Sequence, residues 1–281
     1  MLKRDELFAY LKRININRVE APSLEYLIYL HRAHIKYVSW QTLDIFMGKK
    51  DNICLKESIG LILNQRSGYC FHLNHAFYWL LSSLGFKVSI HRAGVHSKNK
   101  YANIDGFHVG LLVHFKDESK YLIDVGLGDM PYEPILLQEG TVQQEFSTYS
   151  LAKSKIADNA VRLNNDSKAS YLGVDYSLNE ETTFDIFDAK HAFYCNSEKS
   201  PWKNLLIFKN RTEKQVNELK GGIFTTINDL GVEQLEVTTK KRWLELLNEV
   251  FYEPLIAYSD DEVNNIWLKV QKEHLKWKNS L

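Results

Sequence analysis

The stretch from Phe86 to Gly128 points away from a parallel sheet. KVSIHRAGV (87–95), FHVGLLVHF (107–115) and KYLIDVGLG (120–128) are short and rich in β-branched and apolar residues. Polar or Gly-containing loops part them, with no helical stretch between, whereas parallel strands need a crossover, usually a helix. KDESK, between the last two runs, fits a hairpin connection. NAVRL and SYLGVDYSL continue the series. The pattern predicts an antiparallel barrel or sandwich rather than βαβ units.

Helical signals precede this stretch. In APSLEYLIYLHRAHIKYV, Pro22 and Ser23 mark a helix start, and Leu24, Leu27, Ile28, His31 and Ile35 fall on one face. After Cys70, the positions Leu73, Phe77, Leu80, Leu81 and Leu84 repeat at helical spacing, and Gly85 supplies the stop. Residues 1 to about 85 therefore read as helical. From near residue 190, NLLIFKN, GGIFTTI and VEQLEV read as strands, with Gly221-Gly222 as a hairpin turn. KKRWLELLNEVF and DDEVNNIWLKVQKEHLKW close the chain as helices, the second with acidic residues in its first turn, where the helix dipole favours them.

Composition narrows the partners. The 281 residues carry 35 Lys plus Arg against 35 Asp plus Glu, so no electrostatic case exists for nucleic acid or an anionic membrane. The opening MLKRDELFAYLKRI mixes both charge signs and lacks the apolar core of a signal peptide. No apolar run approaches the roughly 18 residues that a membrane helix needs. Three cysteines, Cys54, Cys70 and Cys195, are an odd number that suits a reducing cytoplasm better than a disulfide framework.

Chemistry concentrates around Cys70. In the first turn of a helix, unpaired backbone N–H groups and the dipole favour a thiolate; Arg66 just upstream adds to this, and Gly68 permits the tight turn. Taken alone, the position is accounted for better by a packing cysteine, because structural cysteines outnumber catalytic ones. Its companions change the balance. His108 interrupts the apolar run GFHVGLLV, and Asp124 interrupts YLIDVGLG just before two glycines. A short hairpin sets them on adjacent strands, giving a Cys-His-Asp arrangement of nucleophile, base and orienting group. A satisfied core histidine and a strand-end aspartate remain the structural alternatives.

Other polar residues read blandly. His31 and His34, and His72 and His75, lie three apart on helices, but no Cys, Asp or Glu completes either set at a recognisable spacing, so no metal is expected. Cys54 and Cys195 read as packing residues. Gly126-Leu127-Gly128 lacks the longer fingerprint of a phosphate-cradling loop.

Together these motifs resemble the arylamine N-acetyltransferases. That family carries R-G-G-x-C-[FY]-E-x-N ahead of a leucine-rich helix ending in L-G-F; the counterparts here are RSGYCFHLN and LLSSLGF. Its histidine strand resembles FHVGLLV, its aspartate motif V-D-V-G-[FL]-G resembles IDVGLGD, and YLKRI with PSLEYLIYLHRAHIKYV is similar to its opening helices. The third stretch is matched only through SPWKNLLIF and overall length. Four departures stand out. Ser67 replaces the second motif glycine, His72 the glutamate, SWQTL (39–43) the segment P-F-E-N-L, and Leu127 a frequent phenylalanine.

The resemblance implies an α+β fold with a papain-like Cys-His-Asp core. Residues 1–85 would form a helical bundle carrying Cys70, 86–190 an antiparallel β-barrel carrying His108 and Asp124, and 191–281 an α/β lid with C-terminal helices. It also implies ping-pong transfer of acetyl from acetyl-CoA, through acetyl-Cys70, to an arylamine or arylhydrazine, in a cytoplasmic monomer or homodimer. Trp40 would line the acceptor pocket in place of the family's phenylalanine, and Gly126, Leu127 and Gly128 would border the acetyl and CoA site. Two other readings remain: a transglutaminase-like peptidase or amide-forming acyltransferase with similar order and spacing, and a family scaffold with weak turnover.

Overall fold

Strand β3 (His108–His114) is buried along its first six residues, which explains why, after His108, its sequence runs apolar to Val113 rather than alternating. The computed structural model describes residues 1–49, 52–97, 103–129, 131–181 and 183–280. In it, Val109, Leu111 and Val113 pack into one core with the helices, while Leu112 packs into a second core inside the sheet. Period-two alternation thus serves two apolar faces at once.

The helices against β3 come from the first third of the chain: α1 (Arg4–Arg13), α2 (Leu24–Tyr37), a short α3 (Leu43–Phe46), α4 (Leu55–Leu63) and α5 (Cys70–Ser83). Helix α2 starts where Ser23 caps it, its hydroxyl accepting from the Tyr26 amide at 3.1 Å. Helix α5 has every residue from Cys70 to Phe77 buried, the polar His72, Asn74 and His75 included, so it is a central helix with no exposed face over these two turns. Burying side chains such as Phe71, Leu73 and Phe77 contributes roughly 1.5–3 kcal/mol each.

Eight antiparallel strands follow in the order β5-β4-β3-β2-β9-β8-β7-β6. They are β2 (Lys87–His96), β3, β4 (Lys120–Ile123), β5 (Ile135–Leu136), β6 (Gly140–Gln144), β7 (Ser147–Lys153), β8 (Ala160–Asn164) and β9 (Gly173–Glu181). Strands β5 and β6 are neighbours in sequence yet stand at opposite ends of the row. Laid flat, eight strands would hold those ends about 34 Å apart. Residues 137–139 reach at most about 14 Å. The row must therefore curl. The expected barrel is in fact an open, curled sheet, because no pairing joins β5 to β6 among the described residues. With two residues behind Pro134, β5 is too short to build a closing ladder.

A second antiparallel sheet has the order β1-β10-β11-β12-β13, built from β1 (Trp40–Gln41), β10 (Ile207–Arg211), β11 (Val216–Lys220), β12 (Ile223–Asn228) and β13 (Gly231–Glu236). Gly221-Gly222 makes the expected two-residue turn, with Lys220 paired to Ile223. Helices α7 (Lys240–Glu249) and α8 (Asp260–Lys278) cover this sheet through Trp243, Leu246, Leu247, Ile266 and Trp267. The SWQTL segment belongs here as well: Trp40 pairs with Lys209, and Leu43 and Phe46 join this core. Along the chain, α6 (Asp188–Asn196) joins the two sheets, and the sequence pattern did not announce it. It follows directly on a 3-10 turn with no side-chain cap, and only His191 and Cys195 of its residues are buried, so it lacks the usual start signal and apolar stripe. No helix among the described residues is long and apolar enough to cross a membrane.

Candidate active site

Asp124 collects four donors. Its Oδ2 accepts from His108 Nε2 at 2.6 Å and from the Tyr176 hydroxyl at 2.6 Å. Its Oδ1 accepts from Asn74 Nδ2 at 3.0 Å and from the Gly126 amide at 2.9 Å. The hairpin of β3 and β4 brings this about: Leu111 pairs with Ile123, and the same register carried one step on sets Asp124 opposite Gly110, two positions from His108. Gly110 leaves room for the fourth partner, since a Cβ there would lie 2.4 Å from the Tyr176 ring. Burial is the largest influence on Asp124 and raises its pKa, but His108 and the bonds from His108, Asn74 and Tyr176 outweigh it and hold the carboxyl below its usual range.

Cys70 reaches this pair through two neighbours. Asn74 lies one helical turn beyond Cys70, and besides Asp124 it binds the Val109 carbonyl (2.7 Å) and the Val125 amide (3.0 Å). It thereby ties the helix carrying Cys70 to both strands of the hairpin. Gly126 presses on the cysteine itself, for a Cβ there would meet Cys70 Cα at 2.8 Å and Asn74 Nδ2 at 2.5 Å. Cys70 Sγ and His108 are not hydrogen-bonded among the described residues; Nε2 of His108 is engaged by Asp124, which leaves Nδ1 as the ring nitrogen for proton transfer. Burial, and then the Asp124 charge, pushes the Cys70 thiol well up, while the amides of Phe71 and Cys70 pull it down by less. Arg66 does not supply the expected cation. It is held by the Asp44 carboxylate (2.5 and 2.6 Å) and the Tyr258 hydroxyl (3.0 Å). The thiol therefore needs a base to ionise.

An aromatic group gathers around Tyr69, the residue before Cys70. Tyr194 of α6, whose hydroxyl donates to the Phe107 carbonyl at 3.1 Å, packs against Trp202 with ring centroids 4.1 Å apart and tilted by 31°. Trp202 in turn meets the rings of Tyr69 (5.3 Å) and Trp40 (5.7 Å). The Tyr194 hydroxyl is pushed up by burial first and by the charge of Cys70 second. Cys70 is only 4% exposed and His108 1%. Trp40 is half-buried and bridges to Gly68, with the Gln41 amide donating to the Gly68 carbonyl at 2.8 Å. Leu127 is half-buried between the two cores of the sheet, and Gly128 lies over the stem of Lys209. Lys209 is itself buried with Glu218 at 2.9 Å and Asp129 at 3.5 Å.

His72 stands apart from Asp124 and His108. Its Nε2 faces the Asn52 carbonyl at 3.2 Å, its ring packs against Tyr69 and His191, and burial first, then His191, lowers its pKa to about 3. The other helical histidines also have local partners: His31 the Tyr132 carbonyl, His34 the Tyr10 hydroxyl and His75 the Ile53 carbonyl. Cys195 is buried beside His191, but Cys54 is exposed ahead of α4 and so is no packing residue. Tyr176 and Tyr194 were not singled out by the sequence, while Asn74, the last residue of RSGYCFHLN, and Trp202, within SPWKNLLIF, stood in matched segments without an assigned role. Asn74 carried a signal, being four residues from Cys70 on the same helix face.

The chain matches other proteins along these elements. The family model described as N-acetyltransferase fits residues 23–255. The chain is 26% identical over 155 residues to the protein named "Uncharacterized acetyltransferase YvcN" of Bacillus subtilis, covering 54% of this chain and 60% of that one. It is 32% identical over 142 residues to an arylamine N-acetyltransferase / N-hydroxyarylamine O-acetyltransferase of Salmonella typhimurium, covering 49% and 50%. The chain thus matches about half the length of these curated relatives. In fold the likeness runs almost end to end: the arylamine N-acetyltransferase of Mycobacterium marinum, solved in complex with CoA, superposes with a TM-score of 0.83 at 22% identity, covering 95% of this chain and 98% of that one. A family model matched over most of its length, on a fold shared with solved arylamine N-acetyltransferases, shows that the chain belongs to the N-acetyltransferase family.

Proposed function

We propose that this protein is an arylamine N-acetyltransferase working by ping-pong transfer through Cys70, with His108 as base and Asp124 as its orienting partner. The observation that carries the reading is the fully donor-satisfied Asp124 carboxylate bonded to His108, locked by Asn74 and Gly126 to the start of the helix that bears Cys70. In the first half-reaction His108 takes the thiol proton, the sulfur attacks the acetyl-CoA carbonyl, and the C–S bond to CoA breaks. His108 returns the proton to the departing CoA thiolate. An arylamine then attacks the acetyl-cysteine, His108 accepts the amine proton, and Cys70 leaves as a thiol. The negative oxygen formed in each step faces the amides at the start of α5, Cys70 and Phe71 among them. Exchange of one thioester for another is nearly balanced in energy, which favours cysteine over serine.

The same reading divides the labour at about residues 85 and 190: helices 1–85 bring the nucleophile, the sheet 86–190 its base and orienting group, and 191–281 the cover. Trp40 and Trp202 supply flat apolar surface for an aromatic acceptor, and the Gly126-Leu127-Gly128 segment borders the acetyl group. The three free cysteines support a reducing compartment, the cytoplasm. Incubation with acetyl-CoA followed by mass spectrometry of the Cys70 peptide tests the proposal. Acetyl on Cys70 that is discharged by an arylamine supports it; an unmodified Cys70 refutes it.

A further inference from the structure

One buried acid beside this site has no part in the chemistry above. Glu253 follows α7, 186 positions on from Ser67, and its Oε2 accepts from the Ser67 hydroxyl at 2.5 Å. Glu253 is wholly buried, and its Oε1 has no partner among the described residues. Its backbone is fixed, the amide donating to the Leu247 carbonyl at 2.8 Å. Ser67 lies three residues before Cys70; its carbonyl accepts from Gln41 Nε2 at 2.7 Å, and its hydroxyl lies 3.4 Å from that of Ser39. The hydroxyl that replaces the motif glycine is thus the link between a distant carboxyl and the turn that delivers the cysteine.

The surroundings leave this carboxyl poorly compensated when charged. Arg13 of α1 and Arg66 of the turn favour the ionised form, and Asp44 of α3 opposes it. Both arginines hold other partners: Arg13 the carbonyls of Tyr37 (2.5 Å) and Tyr252 (2.8 Å), Arg66 the Asp44 carboxylate. The Tyr258 hydroxyl, which also faces this group, is bonded to Asp44 at 3.0 Å. A buried carboxylate with a single bond and one bare oxygen is costly, so its ionisation bears on the turn 66–69, which supplies its one hydrogen-bond donor. Burial, outweighing Ser67 and the arginines, raises the carboxyl to about 7.

We propose that Glu253 is a positioning residue: acting through the Ser67 hydroxyl, its carboxyl sets the conformation of residues 66–69 and with it the reactivity of Cys70. The inference rests on reading Cys70 as the nucleophile. Alkylation of Cys70 by iodoacetamide, located by peptide mapping, is followed across about pH 5.5 to 8.5 in the wild type, Glu253→Gln and Ser67→Gly. The ratio of wild-type to Glu253→Gln rates should change by about 2- to 10-fold across this range, the leverage of one hydrogen bond. Ser67→Gly should shift the ratio in the same way, and the double variant should add nothing further. A ratio that stays constant with pH in either variant overturns the proposal, because a merely structural bond would scale the rate equally at every pH. Ser67→Gly carries the test if Glu253→Gln does not fold. Alkylation needs no acyl transfer, so a pH-dependent ratio without acetylation of Cys70 would sink the transferase reading and leave the positioning role standing.

Discussion

Asp124→Asn is the sharpest perturbation, because the carboxylate is surrounded only by donors. His108 and Tyr176 give to Oδ2, and Asn74 and Gly126 to Oδ1. An asparagine keeps one oxygen and exchanges the other for an NH2 group that must face two of these donors. If the NH2 takes the Oδ1 side, the Asn74 and Gly126 N–H groups are stranded. Each buried unsatisfied group costs about 1–3 kcal/mol, so the variant should lose about 2–6 kcal/mol of stability. If it takes the Oδ2 side, His108 can only accept through Nε2, which puts its proton on Nδ1. That ring can no longer deprotonate Cys70. In a serine-protease triad the corresponding change costs about 10⁴ in kcat, and a loss of about 10³- to 10⁴-fold is expected here. Quenched-flow mass spectrometry of Cys70 acetylation reads the rate, and urea unfolding reads the stability. A folded variant of near wild-type stability that acetylates within about tenfold of the parent would refute this account of Asp124.

Three further outcomes follow from the same contacts. Gly126→Ala puts a methyl 2.5 Å from Asn74 Nδ2 and 2.8 Å from Cys70 Cα, so it should destabilise by about 1–3 kcal/mol and cut acetylation by about 100-fold or more; unchanged kinetics would contradict the close approach. Gly110→Ala drives the Tyr176 ring from its place 2.4 Å away and removes its bond to Asp124, which a lower urea midpoint and slower acetylation would report. The stability of the wild type relative to Glu253→Gln should fall as pH rises from about 5 to 8. The folded carboxyl, raised to about 7 from 4.5, binds its proton where the unfolded chain has released it. That stability is complete below the unfolded value and lost through the folded one, a total of about 3 kcal/mol. A difference that is flat with pH, measured by urea unfolding, would contradict the burial of an isolated acid.

What the sequence displayed was what it encodes locally. His108 and Asp124 are visible because each is a polar residue inside an apolar run, and the five-residue link 115–119 makes the hairpin that sets them side by side. Gly221-Gly222 marks its turn by the same local logic. The curl of the large sheet leaves no local trace, because strand pattern is the same in an open row and a closed barrel; the short connection 137–139 shows it only once β5 and β6 are known to be the outer strands. Residues acting at a distance were invisible for a related reason. Tyr176 reaches Asp124 across 52 positions and Glu253 reaches Ser67 across 186, and neither partner breaks the pattern of its own segment. Arg66 misled because proximity in sequence suggested Cys70, while Asp44 and Tyr258 offered better geometry.

The most direct test of the central claim is the state of Cys70 after acetyl-CoA. The account predicts one acetyl group on Cys70 and none on Cys54 or Cys195, formed with release of CoA thiol and removed by an arylamine such as an aminobenzoate. It also predicts that His108→Ala forms the adduct slowly if at all. An intact Cys70 thiol after exposure to acetyl-CoA, in folded protein, would contradict it.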